Sequence, residues 1–361
     1  MTFVVSAERV FTPEARGPGR VAVEDGVVVE VTGPGRADAA VPVLTPGFVD
    51  LQCNGTGDVS FATGGEANWE RARALLAPSG ATAVLPTLIT GTPVTQALEG
   101  FCVGGPGGAG VPEFPGVHLE GPMLSPARHG AHPVEGLGDV DVAAVLEWPV
   151  RLVTLAPELP GALNIVRRLV AGGVTVAAGH SDADAGEAAA AFDAGVRLVT
   201  HLWNAMRPMT RRDPGLAGTA LVDDRVRVCV ICDGVHVDPI VVEATWRAVG
   251  PRRFVAVTDS VGVTAAGGSR AGLHVDGAVV RDRGGDLTGS AITMDVALRN
   301  LVRWGLGTAD AVAAVTSNPA AAIGLSGRGG IEVGSRADLV ALDADLHVLP
   351  WRGQTPNAGG L

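Results

Sequence analysis

Seven short apolar runs in this chain end on residues that can ligate a metal, carry a proton or hold a polar substrate. The run at 47–52 leads into Gln52-Cys53-Asn54, and the run at 116–120 closes on Glu120. Ala156-Pro157-Glu158 follows the run at 151–155, and His180 follows the run at 174–178. His201 follows 197–200, Asp233-Gly234-Val235-His236 follows 226–231, and Asp259-Ser260 follows 254–258. A polar group buried without a partner costs free energy, so chance does not place this many at one end of so many apolar runs. Glu120, His180 and His201 offer one carboxylate and two imidazoles. That set suits Zn²⁺ or another divalent transition ion with a position left for water. Asp259 is a carboxylate able to take a proton from that water and return it. Together these residues describe metal-assisted hydrolysis.

The elements that must position them are legible in outline. With the run at 81–85 there are eight apolar, β-branched-rich segments of strand length, the pattern of strands buried on both faces. Helical patterns lie at 66–76, 161–171, 183–194 and 239–249, and two more follow at 294–304 and 308–323. Alternation of this kind predicts an α/β chain with a (β/α)₈ TIM-like barrel, whose strand ends converge on one mouth. An open, doubly wound sheet of eight strands has the same periodicity. Residues 21–31 alternate about Asp25-Gly26, a hairpin signal. The stretches 337–342 and 346–349 return to the same style, and chain ends often lie together. We therefore expect a small β-sandwich domain from residues 1–46 and 328–361, with the barrel at 47–327.

Composition narrows the chemistry. All 27 basic residues are Arg, against 38 acidic ones, for a net charge of −11. Without Lys there is no phosphate loop of the Walker type, no Schiff-base amine and no carboxylated Lys bridging two metals. An acidic chain argues against non-specific nucleic-acid binding. No run of about 18 apolar residues marks a membrane span. The start, MTFVVSAERV, has no basic region followed by a long apolar one, so no signal peptide is expected. Cys53, Cys102, Cys229 and Cys232 read as reduced thiols of a cytoplasmic protein. Cys229 and Cys232 sit inside an apolar run and read as small buried hydrophobes.

Seven strings, in order, carry a family resemblance: HLEGPMLSPARHGAH from His118, TLAPE from Thr154, AGHSDAD from Ala178, HLWNAM from His201, DGVH from Asp233, VTDS from Val257 and GSAITMD from Gly289. The segment from Pro46 to about Gly334 resembles the N-acetylglucosamine-6-phosphate deacetylases of the amidohydrolase superfamily. The resemblance implies hydrolysis of the acetamide of N-acetylglucosamine 6-phosphate to glucosamine 6-phosphate and acetate. It implies Glu120, His180 and His201 as metal ligands and Asp259 as general base and acid. It places His132 near the scissile amide, with Asn204, Ala205 and His236 as substrate contacts. Arg212, in RRDPGLAG, resembles a family arginine that reaches the substrate phosphate across a dimer interface. A planar guanidinium suits a phosphate. A homodimer acting on a small amino-sugar phosphate is thereby implied.

Two departures bear on the site. Many amidohydrolases carry His-x-His after the first strand and hold two metals, whereas here Gln52 and Asn54 stand there, and amides are poor ligands beside imidazole. One divalent ion per chain is expected, Zn first, with Fe, Mn or Co tolerated by the same ligands. His129 stands where a Lys is common, and a His is only partly charged at neutral pH. Two other readings stay open on the sequence. One is an amidohydrolase of another N-acyl amino sugar, or a deaminase. The other is a non-catalytic sugar-phosphate-binding protein.

Overall fold

The computed structural model describes residues 2–12, 16–104, 111–263 and 272–350. Residues 351–361, part of the expected terminal domain, lie outside them. All eight apolar runs are strands. They are Phe48–Cys53, Ala81–Ile89, Val117–Glu120, Val150–Leu155, Thr175–Ala178, Leu198–Val199, Arg227–Ile231 and Phe254–Val257. Each pairs in parallel with the next along one eight-stranded sheet. The sheet curls until its last strand meets its first. Asp259 N–H donates to the Gln52 carbonyl at 2.8 Å and Asn54 N–H to the Ser260 carbonyl at 2.7 Å. Closure makes this a barrel and excludes the open sheet. Val49, Leu51, Ala83, Leu85, Leu152, Ala177, Leu198, Ile231, Val255 and Val257 fill one cluster of its core.

Helices follow the strands as the sequence periodicity predicts: Glu66–Leu76, Ala162–Ala171, Ala185–Ala194 and Pro239–Val249. Asp184 caps the third of these with a reciprocal capping box to Glu187. The pattern read as one helix at 308–323 is two, Thr308–Val315 and Ser317–Ala322. Pro319 has no N–H to give the Val315 carbonyl, so one continuous helix would lose that bond. Helix Gly215–Val222 was not foreseen. It contains two glycines and is apolar on nearly every side, so it shows no amphipathic stripe.

Both termini build one five-stranded sheet. The C-terminal strand Leu339–Leu342 is at its edge, followed by Ala39–Pro46, Phe3–Phe11, Arg16–Glu24 and Val27–Thr32. The hairpin turns at Asp25-Gly26, both with positive φ (50° and 78°), the backbone of a type I′ turn. A further three-stranded antiparallel sheet, His274–Asp276, Val279–Arg281 and Leu287–Ser290, follows the eighth barrel strand. Among the described residues no helix is long and apolar enough to cross a membrane.

Candidate metal and catalytic site

The strand ends meet at one mouth, in a cavity of about 460 Å³. Asn54, Glu120, His132, His180, His201, Asn204, Ala205, His236 and Asp259 all line it. The backbone there is bent to aim side chains inward. His180, His201, Ala205 and Asp259 have φ of 48°, 29°, 49° and 49°, a left-handed region that non-glycine residues avoid. These four residues lie in three loops, His201 and Ala205 sharing the one after Leu198–Val199, each leaving the end of a barrel strand.

Glu120 is the hub. Its Oε1 lies 3.2 Å from His180 Nε2 and 3.0 Å from His201 Nε2, and those two nitrogens are 3.0 Å apart. His180 Nδ1 lies 3.0 Å from the Arg128 carbonyl, which only accepts, so Nδ1 holds the proton. Its Nε2 therefore faces a carboxylate oxygen with a lone pair. Two acceptors pressed together need a cation between them, and this donor set fits a divalent ion of the N/O-ligating kind. His132 Nε2 sits on the other side, 3.7 Å from Glu120 Oε2. Glu120, His132 and His180 also present ligand atoms within 4.8 Å of one another. The closer approach of His201 to both Oε1 and His180 makes it the third member of the tighter set. Burial opposes ionisation of Glu120, but the three imidazoles of His132, His180 and His201 around it outweigh this and hold the carboxyl well below its usual range.

Asp259 faces the same cavity. Burial, then the charge of Glu120, pushes its carboxyl up to about 8. Asn54 Nδ2 donates to its Oδ1 at 2.7 Å. Gln52 Nε2 donates to Glu120 Oε1 at 3.0 Å, from behind the cavity. The structure thus brings Gln52 and Asn54 to the two carboxylates as hydrogen-bond donors. Sequence reasoning placed them only as poor ligands; which partner each would find depends on barrel closure.

His129 and Arg212 do not line the cavity. His129 Nδ1 lies 2.9 Å from the His132 carbonyl, tying the loop that carries His132. Arg212 is exposed on a turn whose N–H groups, at Arg212 and Asp213, donate to Thr210 Oγ1. Glu158, given no role by the motif it belongs to, holds the turn after His180. It accepts from Ser181 Oγ at 2.7 Å and from Asp182 N–H at 2.6 Å. Its signal in the sequence was a carboxylate just beyond a strand end. Cys53, Cys229 and Cys232 are buried, and burial pushes each thiol up, to about 12 for Cys229, so none is a ready thiolate.

Residues 43–359 match the amidohydrolase family. The chain belongs to that family. This amidohydrolase is similar to the N-acetylglucosamine-6-phosphate deacetylase of Bos taurus, with 37% identity over 337 residues, 85% of this chain and 81% of that protein. It is similar to the N-acetylgalactosamine-6-phosphate deacetylase of Escherichia coli O157:H7, with 32% identity over 96% of this chain and 97% of that one. Among solved structures it resembles N-acetyl-D-glucosamine-6-phosphate deacetylase from Mycobacterium smegmatis, an aspartate-to-alanine mutant in complex with N-acetyl-D-glucosamine-6-phosphate. The TM-score is 0.86 and the identity 35%, covering 96% of each chain. The barrel and the terminal sheet of this amidohydrolase are therefore shared with that enzyme over nearly their whole length.

Proposed function

We propose that this amidohydrolase removes the acetyl group from an N-acetylhexosamine 6-phosphate, N-acetylglucosamine 6-phosphate first, giving the free amine and acetate. One observation carries the reading. Two imidazole nitrogens converge on one oxygen of Glu120, and Asp259 opens into the same cavity. Deacetylases of both the glucosamine and galactosamine series are relatives over most of the chain, which supports the substrate class.

Glu120, His180 and His201 would hold one divalent ion, Zn in our reading, with Fe, Mn or Co as alternatives. Such an ion, when bound, polarises the amide carbonyl and makes nearby water more acidic. Asp259 takes the proton of the attacking water and delivers it to the amide nitrogen, which leaves as an amine. A carboxylate beside water made acidic in this way can accept that proton and return it. Asn54 fixes Asp259 Oδ1 and so sets the plane of the carboxyl group. His132 stands beside Glu120 and contacts the amide end of the sugar, while Asn204, Ala205 and His236 contact the rest. His129 acts through the loop it ties.

The amide N–H groups of Gln52 and Asn54 are committed to Glu120 and Asp259, the place a second cation would take. This supports a single metal. Purified enzyme should contain about one divalent ion per chain by elemental analysis; two stoichiometric ions would remove Gln52 and Asn54 from this role. Arg212 lies outside its own chain's cavity, which supports a homodimer in which it reaches the phosphate of a second copy. We read residues 1–46 and 328–361 as the terminal domain and 47–327 as the barrel. The four free cysteines support a reducing, cytoplasmic location.

The test is acetate release from N-acetylglucosamine 6-phosphate, its galactosamine epimer and unphosphorylated N-acetylglucosamine. Strong preference for the phosphate esters is expected. Equal hydrolysis of the neutral sugar would discard the phosphate site, and no release from any of them would discard the deacetylase reading.

A further inference from the structure

Among the described residues no arginine lines the cavity. A substrate bearing a phosphate dianion must still be received there. Three of the four histidines in its wall lie against Glu120. His236 is the fourth, and its partner is Asp233. The Asp233 side chain is fully buried, and its Oδ2 lies 2.5 Å from His236 Nδ1. Its Oδ1 accepts from Val235 N–H at 2.8 Å and from His236 N–H at 2.9 Å. Between them, Gly234 turns with φ of 79°, and a Cβ there would meet the Trp304 ring at 2.9 Å. One carboxylate thus fixes the turn with one oxygen and orients the imidazole with the other.

We propose that Asp233 is the positioning residue that makes His236 the cavity's own receptor for the substrate's phosphate. A carboxylate only accepts, so Nδ1 of His236 must carry a proton. A phosphate oxygen also only accepts, so Nε2 must carry one when phosphate is bound. The ring then donates from both nitrogens as an imidazolium, with the Asp233 carboxylate as its counter-charge. Hydrogen bonds from charged donors are shorter and stronger than neutral ones, so this pair adds selectivity for the phosphorylated sugar over the neutral one. No atom of Asp233 needs to touch the substrate. The inference rests on the deacetylase reading and names a residue to which that reading gives no role.

Asp233→Asn keeps an Oδ1 acceptor for the two backbone N–H groups and removes the charge behind the ring. We expect KM for N-acetylglucosamine 6-phosphate to rise about tenfold or more, with kcat held within about threefold. The inhibition constant of inorganic phosphate should rise by the same factor. His236→Gln should raise both in the same way. Adding Asp233→Asn to His236→Gln should then change KM no further, because the carboxylate acts through the ring. A fall in kcat at unchanged KM, an unchanged phosphate inhibition constant, or independent effects in the double variant would each overturn the proposal. His236→Gln keeps the test open if Asp233→Asn does not fold: an unaltered KM in that variant also overturns it. The native enzyme is assayed first, and a native enzyme inactive on the phosphate ester overturns the deacetylase reading instead.

Discussion

Asp259 sits where an ionised carboxylate is disfavoured, by burial and then by the negative charge of Glu120, and His201 and an amide N–H from Asn54 oppose this only in part. In the proposed reaction its carboxylate takes the proton of the attacking water and returns it to the leaving amine. Asp259→Asn keeps the shape and leaves Glu120, His180 and His201 in place. We expect metal content to be unchanged and kcat to fall about a thousandfold, at the upper part of what proton transfer contributes. Elemental analysis beside steady-state kinetics checks this, and turnover within tenfold of native would take Asp259 out of the reaction. Arg212→Ala should act on binding alone. KM for the phosphate ester should rise about tenfold or more, the worth of one charge-assisted contact, while metal content stays constant. An equal KM would separate Arg212 from the phosphate. The polar residues at strand ends were legible in the sequence because burial makes each one conspicuous. The donor roles of Gln52 and Asn54 were not, since their partners lie 68 and 205 residues away and are fixed by packing. Asp233 was quoted in its motif, but only the fold shows the imidazole above it.

At the level of elements, the seam where the barrel closes decides whether the mouth is assembled. Asp50, in the first strand, spans it: its carboxylate accepts from Thr258 Oγ1 at 2.6 Å and from Thr258 N–H at 3.3 Å. Burial nonetheless pushes its carboxyl up to about 6 from 3.8. The native state therefore keeps this proton over a range in which the unfolded chain has released it. Between pH 4 and 6 the folded form binds more protons, so the contribution of Asp50 to stability falls as pH rises and is constant above about 6. At about 1.4 kcal/mol for each unit, the whole effect is about 3 kcal/mol. Comparing urea unfolding of the native chain and Asp50→Asn from pH 4 to 8 isolates it, because other carboxylates cancel in the difference. The native chain should lose stability relative to the variant up to pH 6 and then run parallel to it; a flat difference would deny the shift. The eight strands of this barrel were readable because double burial leaves runs such as VRVCVI without alternation. The turn at Asp25-Gly26 announced itself through residues that accept positive φ. What failed was local: Pro319 interrupts a pattern whose apolar residues run on, and GLAGTALV has no polar side to betray a helix.

Over the whole molecule, the terminal sheet is joined to the barrel by a nearly buried charge cluster. Arg328 pairs with Asp338 at 2.5 Å and with Glu113, and Arg336 pairs with the same two carboxylates. Glu113 belongs to the barrel side, bridged to Ala83 in the second strand. Asp338 precedes the C-terminal strand Leu339–Leu342, and its carbonyl accepts from Gly47 N–H at 2.7 Å, just before the first barrel strand. The cluster therefore clasps the C-terminal segment to the base of that strand. Side-chain exposures of 10% for Arg328, 14% for Glu113 and 6% for Asp338 mean that water cannot replace a lost partner. Without Arg328 the two buried carboxylates would share the more exposed Arg336 alone, and the undercompensated buried charge is costly. Arg328→Ala should lower the free energy of unfolding by about 3 kcal/mol. Its kcat at 25 °C should stay within about twofold, because the mouth lies at the far end of the first strand, roughly 20 Å from Gly47 at about 3.3 Å per residue. Denaturant unfolding read beside acetate release separates the two outcomes. A variant that loses kcat without losing stability would place the clasp in the active site's own support, whereas loss of stability alone would make the terminal sheet a brace for the barrel.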